Sequence, residues 1–358
     1  MLTQSHRPLR FKDIIGQSSP VAVMESVVLS PGQSPRTFIF QGERGLGKTS
    51  LSRVFARALL CERKQMGDAC LACESCLTFS DYGSGYQEYD STQVGNVQFI
   101  RGLKERLYHV ESAHLYSVVV FDECQSASPQ AQNALLKLLE EGPRSIFFIL
   151  ATTEVEKIIP TIRSRCVELS FSTVSDKELK EYLEMVCEKE KIKDNKEVIN
   201  SLVSFSFGHV RDALMQLDLY KQLGNKDKFL SLLRLPEKAI IDLFLAIKKQ
   251  DKESFVNSMN NLLASPLAYL RKSFELFVLN SARTFSGHLV VSFPDKYVEI
   301  NAVYGQQIFD VLHTLSQDWA YNCFKSDLSF QALLWYFYSA LVKSKKRDEF
   351  EVSSRFRK

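Results

Sequence analysis

The sequence predicts an α/β fold, a parallel sheet carrying a phosphate-binding loop, continued by helical domains, and three observations predict it. First, Thr37–Phe40 is a short apolar run that leads into Gly42-Glu-Arg-Gly-Leu-Gly47-Lys48-Thr49, after which apolar residues return at helical spacing. Second, two further apolar runs, Ser117–Phe121 and Ile146–Ala151, are rich in β-branched or aromatic residues and enclose a helical segment. Third, after Phe171 strand signals fade and helical periodicity takes over. Strands alternating with helices imply a parallel sheet covered on both faces.

The elements follow in order. Thr49 to Leu60 places Leu51, Val54, Phe55, Ala58 and Leu59 on one helical face. Pro129 to Glu141 reads as a helix opened by Ser128 as cap and Pro129 in its first turn, and stopped by Gly142-Pro143. Ser175 to Lys191 and Lys196 to Leu223 are helical, the second broken at Phe207-Gly208, and predict a small helical domain. From about Asn225 the segments are helical with aromatic faces, among them Phe244, Phe255, Phe274, Phe277, Trp335, Tyr336 and Tyr338, which read as core. The expected organisation is residues 1–172 for the sheet domain, 173–224 for the small helical domain and 225–342 for an all-helical domain. A charged tail, 343–358, would follow.

With 358 residues, 45% hydrophobic and 24% charged, the chain can bury several cores. No apolar run approaches the roughly 18 residues that cross a bilayer, and Met1 to Phe11 lacks the apolar stretch of a signal peptide, so no membrane association and an intracellular location are expected. A formal charge of +3 neither identifies nor excludes a nucleic-acid partner, because counterion release depends on local clusters.

The glycine-rich loop matches G-x-x-x-x-G-K-[ST] in the setting its chemistry requires, between a buried strand and a helix. Gly42, Gly45 and Gly47 let backbone amides approach phosphate oxygens, and Lys48 reaches the β and γ oxygens of ATP. Thr49 is a candidate Mg²⁺ ligand, and Ser50 continues the binding segment into the helix. Asp122 and Glu123 close the second strand, where α/β ligand sites form. Asp122 is the candidate to orient Mg²⁺, and Glu123 the candidate base for the attacking water. Alone, such a carboxylate pair is a weak sign; beside a matched loop it is a strong one.

Four of the eight cysteines, Cys61, Cys70, Cys73 and Cys76, crowd into sixteen residues with too few apolar neighbours to form a core. The spacing predicts a closed, structural Zn²⁺ site within 61–76. Cys124, Cys166, Cys187 and Cys323 have no spacing partner and read as ordinary side chains.

With these motifs the chain resembles the gamma/tau family of bacterial AAA+ sliding-clamp-loader ATPases of DNA polymerase III. The likeness rests on Arg7-Pro8, Asp13-Ile-Ile-Gly-Gln17, the phosphate loop, the cysteine insertion after its helix, Asn133-Ala-Leu-Leu-Lys-Leu-Leu-Glu-Glu141 and Ser164-Arg165-Cys166. The resemblance implies that Thr153 senses the γ-phosphate and that Arg165 is a finger reaching a neighbour's ATP. It implies further that Arg211 is a lid-domain sensor and that Arg7, Pro8 and Ile15 line the adenine side. The domains after the sheet would then be a lid and an oligomerising collar. Implied partners are delta, delta-prime and further gamma/tau copies in a pentamer-like ring, the sliding clamp and primer-template DNA, in a bacterial cytoplasm or nucleoid, or in a host cytoplasm for a viral source. Glu43 inside the loop and Gln125, where relatives carry His or Asp, depart from the family pattern. A non-hydrolysing scaffold subunit and another AAA+ motor, such as a branch-migration helicase, share part of this pattern.

Overall fold

A computed structural model describes residues 1–79, 85–90, 93, 95–109, 115–193, 196–249 and 251–263, with 273, 274, 277 and 298 singly. The chain separates into two compact units, Met1–Gln222 and Leu223–Lys358.

The first unit is built on five parallel strands in the order β2-β3-β4-β1-β5. Three are the expected ones, β1 (Thr37–Gln41), β3 (Ser117–Phe121) and β4 (Ile146–Thr152). The other two, β2 (Tyr86–Tyr89) and β5 (Val167–Ser170), lie at the edges, and their polar Tyr-Gln-Glu-Tyr and Val-Glu-Leu-Ser sequences carry no apolar run. Inner strands are buried on both faces, so their sequences are continuously apolar.

Alternation splits each inner strand between two cores. Phe38, Phe40, Val118, Val120, Phe147 and Ile149 face a layer formed by α1 (Ser18–Leu29) and α2 (Lys48–Leu60). Ile39, Val119, Phe121, Phe148 and Leu150 face α3 (Val97–His109) and α4 (Pro129–Glu141). Each such side chain, removed from water, contributes about 1.5–3 kcal/mol. Helix α4 begins where the sequence places it: Ser128 Oγ accepts the Ala131 N–H at 3.2 Å.

Beyond β5 come α5 (Asp176–Lys189), α6 (Lys196–Ser206) and α7 (Val210–Leu223). Ser175 caps α5, its Oγ accepting the Glu178 N–H at 3.3 Å. Leu179, Leu183, Val186 and Cys187 are the buried face of α5. The break between α6 and α7 falls at Phe207-Gly208, both with positive φ, where a Cβ on Gly208 would lie 2.4 Å from Val174 O. Only glycine fits that turn.

In the second unit α8 (Lys226–Lys249) packs on α9 (Lys252–Leu263). Phe244, Phe255, Phe274 and Phe277 are buried, and Phe244 stacks on Phe277 with centroids 4.7 Å apart. These aromatics are core, as expected. Trp335, Tyr336, Tyr338, Cys323 and the charged tail lie outside the described residues.

Candidate nucleotide site and cysteine cluster

The phosphate loop joins the C-terminal end of β1 to α2. Gly42 takes φ +149°, and a Cβ there would sit 2.6 Å from Phe171 O, so no other residue fits. Gly45 and Gly47 have φ of +84° and +99°, and α2 starts directly at Lys48. Its first amides thus point into the loop, as anion binding requires.

Lys48 is buried and donates to Gly42 O at 2.6 Å and Glu43 O at 2.8 Å. Burial pushes its ammonium pKa down, with the Asp122 and Glu123 charges opposing. Thr49 Oγ1 donates to Asp122 Oδ2 at 3.3 Å, bringing together the two oxygens expected to flank Mg²⁺. Burial, and then the charge of Glu123, pushes the Asp122 carboxyl up. Glu123 turns off β3 in a left-handed conformation (φ 54°, ψ 44°), a strained state for a non-glycine residue. The strand register sets the ends of β1, β3 and β4 side by side, which brings Thr153 to the same rim, one residue beyond β4. Ser50 lies in the first turn of α2.

Three further residues bond to this cluster or its loop without a role in the motif, and a fourth polar residue, Gln132, is buried in α4. Arg44 Nε pairs with Glu123 Oε1 at 2.8 Å, and Gln125 donates to the other oxygen, Glu123 Oε2. His209, in the turn before α7, places Nδ1 3.2 Å from Arg44 O and Nε2 3.1 Å from Glu43 Oε2. Gln132 is buried in α4; its Nε2 donates to Ala127 O at 3.2 Å and Lys157 O at 2.9 Å, and its Oε1 accepts from Ile159 N at 2.8 Å. A lone Gln, Arg or His carries no spacing signal. Only the departures at Glu43 and Gln125 marked this surface in the sequence.

The residues expected from outside the loop divide into two groups. Arg211 reaches the site: a Cβ on Gly45 would lie 3.4 Å from Arg211 Cβ. Ile15 is half-buried on the segment that Gln17 pins to the end of β5, Gln17 Nε2 donating to Ser172 O at 2.7 Å. Arg7 is exposed and Pro8 half-buried. Arg165 lies elsewhere. Its carbonyl accepts from Thr37 Oγ1 at 2.5 Å, at the opposite end of β1 from the loop. Five residues of strand separate Thr37 from Gly42, about 16 Å at 3.3 Å per residue, which exceeds an extended arginine side chain. Its guanidinium instead pairs with Glu140 at 2.6 Å.

Cys61, Cys70, Cys73 and Cys76 converge, their sulfurs all within 4.8 Å of one another. Cys61 and Cys73 are 3.8 Å apart and Cys70 and Cys76 4.0 Å, against about 3.8 Å for the edge of a tetrahedron with 2.3 Å metal–sulfur bonds. Backbone N–H groups of Cys70, Ala72 and Cys73 point at sulfurs, and the bond from Ala72 leads in drawing the Cys70 thiol down to about 6. Such donors favour thiolate. The donor set fits a tetrahedral metal. Cys124 and Cys187 are buried and Cys166 half-buried, away from the cluster.

The family model for the DNA polymerase III delta subunit matches residues 18–175. DNA polymerase III subunit gamma of Buchnera aphidicola (subsp. Schizaphis graminum) is 32% identical over 273 residues, covering 73% of this chain and 74% of the relative. DNA polymerase III subunit gamma/tau of Mycobacterium tuberculosis is 34% identical over 220 residues, 61% of this chain; the match spans 38% of that longer protein. Among solved structures, the RuvB Holliday junction branch migration motor of Thermotoga maritima aligns with TM-score 0.50 at 16% identity, covering 80% of this chain and 99% of that one. At that identity the likeness concerns the fold alone.

Proposed function

The chain belongs to the DNA polymerase III gamma/tau family, and from that premise we propose that it is an ATP-hydrolysing motor subunit of a clamp loader, opening the sliding clamp and placing it on primer-template DNA. The observation that carries this reading is the convergence at the C-terminal ends of the inner strands of Lys48, Thr49, Asp122, Glu123 and Thr153. A scaffold that binds ATP without hydrolysing it would need the buried lysine but not the strained carboxylate.

In the proposed cycle Lys48 exchanges its two loop carbonyls for the β and γ oxygens of ATP. Such a swap is favourable because a desolvated ammonium gains charged acceptors in place of neutral ones. Thr49 and Asp122 would hold Mg²⁺, which supplies charge neutralisation at the phosphates. Glu123 orients and deprotonates the attacking water, Thr153 donates toward the γ-phosphate, and Arg211 reports the nucleotide to the helical segment 176–223, acting as the lid. Arg165, too far from the loop of its own chain, acts on the ATP of a neighbouring subunit. The four cysteines bind one structural Zn²⁺. Partners are delta, delta-prime and further copies of this chain in a pentamer-like ring held by the second unit, with DNA gripped through phosphates and therefore salt-dependently. No described helix is long and apolar enough to cross a membrane, in keeping with a cytoplasmic or nucleoid place of action.

The test is ATP turnover with matched clamp, partner subunits and primed DNA, supplied together and omitted singly. Stimulation should require all three, and Lys48→Ala should remove nucleotide binding. Turnover indifferent to clamp and DNA would refute the proposal.

A further inference from the structure

Gln125 stands between the two residues to which the proposed chemistry gives different tasks, the base Glu123 and the sensor Thr153. Its amide makes three hydrogen bonds. Nε2 donates to Glu123 Oε2 and, at 2.8 Å, to Thr153 Oγ1, while Oε1 accepts from Thr152 Oγ1 at 2.8 Å. The network fixes which end of the amide is which. A carboxylate accepts only, so the NH₂ must face Glu123, and the carbonyl must then face Thr152. Thr152 is fully buried and itself accepts from Glu154 N at 3.0 Å, so its proton is available to Gln125.

Two consequences follow from that polarity. The hydroxyl oxygen of Thr153 accepts a hydrogen bond from Gln125, and its own O–H is thereby left to donate, which is what a phosphate or an attacking water requires of it. The carboxylate of Glu123 is held at one oxygen by an amide that is locked in turn to the end of β4. Among the described residues its other oxygen pairs with the side chain of Arg44, which is 78% exposed. An exposed ion pair of this kind contributes little. The firm restraint on the base is therefore Gln125, and a change at Thr153 reaches Glu123 through a single rigid amide.

From this we infer that Gln125 is a positioning residue for hydrolysis: it couples the sensor hydroxyl to the catalytic carboxylate and sets the direction in which each presents its proton or lone pair. The inference rests on the ATPase reading above and deepens it. It requires no contact between Gln125 and ATP, so binding and turnover should respond differently to its loss.

The experiment compares wild type with Gln125→Met, which keeps length and removes all three bonds, and with Gln125→Glu, which keeps the acceptor for Thr152 but sets a carboxylate against Glu123. Each is assayed in the complete assembly with clamp and primed DNA. Both variants should lower kcat by about 10- to 100-fold, the scale of a misplaced catalytic group, with nucleotide Kd within about twofold of wild type. Thr153→Val should cost much in the wild-type background and under about twofold in Gln125→Met, because the coupling is already cut. Wild-type kcat in either variant overturns the inference, as does a multiplicative double mutant, or a Kd that rises and a melting temperature that falls in step with the loss of kcat. A wild-type assembly that binds but never hydrolyses ATP sinks the ATPase reading first; active wild type with a dead Glu123→Gln and an unaffected Gln125→Met sinks this inference alone.

Discussion

If Arg165 completes a neighbour's site, two dead subunits should revive one another. Arg165 hangs from the start of β1 and the phosphate loop from its end, about 16 Å away along the strand, so no side-chain rotation brings the guanidinium to its own ATP. The ion pair with Glu140 does not hold it back: the two side chains are 46% and 38% exposed, and such pairs are worth at most about 1 kcal/mol. Removing a finger costs on the order of 10³ in rate, about 4 kcal/mol, so loss of Arg165 outweighs anything done at Glu140. Arg165→Ala should thus silence turnover while Glu140→Ala changes it less than about fivefold. Assembled in equal amounts, Arg165→Ala and Glu123→Gln subunits place an intact loop and base beside an intact finger at about a quarter of their head-to-tail interfaces. Steady-state turnover of the mixture should recover toward that fraction of wild type, whereas each variant alone stays inactive. A mixture as dead as its components would show that the finger serves its own chain, and the strand-length reasoning would be wrong.

Three further outcomes are expected. Purified protein should carry about one zinc per chain by metal analysis; Cys73→Ser should lose it and lower the melting temperature, and a metal-free chain of unchanged stability would dismiss the tetrathiolate. Asp122 has a carboxyl raised above its ordinary 3.8 by burial, so the folded state prefers its neutral form: the associated stability is present below 3.8 and is lost as pH rises through the raised value. Denaturant titrations without nucleotide should therefore show a decline across that window in wild type that is missing in Asp122→Asn, while the variant loses Mg²⁺-dependent nucleotide binding; parallel curves would count against the burial effect. Gln132→Leu removes the partner of the buried Ala127 O and of the part-buried Lys157 O and Ile159 N, which should cost on the order of 3 kcal/mol in equilibrium unfolding. A loss under about 1 kcal/mol would mean those groups find other partners.

How much of this was legible in the chain depended on how local each signal is. The inner strands were read because burial on both faces leaves continuous apolar runs. The edge strands β2 and β5 were not, because each contributes a single buried residue and owes its conformation to the neighbour it pairs with. The loop, the Asp122-Glu123 pair and the cysteines are short motifs whose chemistry is complete within a few positions. Gln125, Gln132, Arg44 and His209 become meaningful only through partners far off in sequence: Thr153 is 28 residues from Gln125, and Arg44 is 165 from His209.

Sequence alone therefore determined the P-loop α/β frame, the helices that follow it, the phosphate loop with its acidic partner and the thiol set, since periodicity, glycine conformations and ligand spacing are written along the backbone. Tertiary structure decided the rest: which oxygen of Glu123 each donor holds, which end of β1 carries Arg165, and how closely His209 and Arg211 overlie the loop. Those are relations across strand register and helix packing, set by the burial of two cores at once, and no stretch of neighbouring residues contains them.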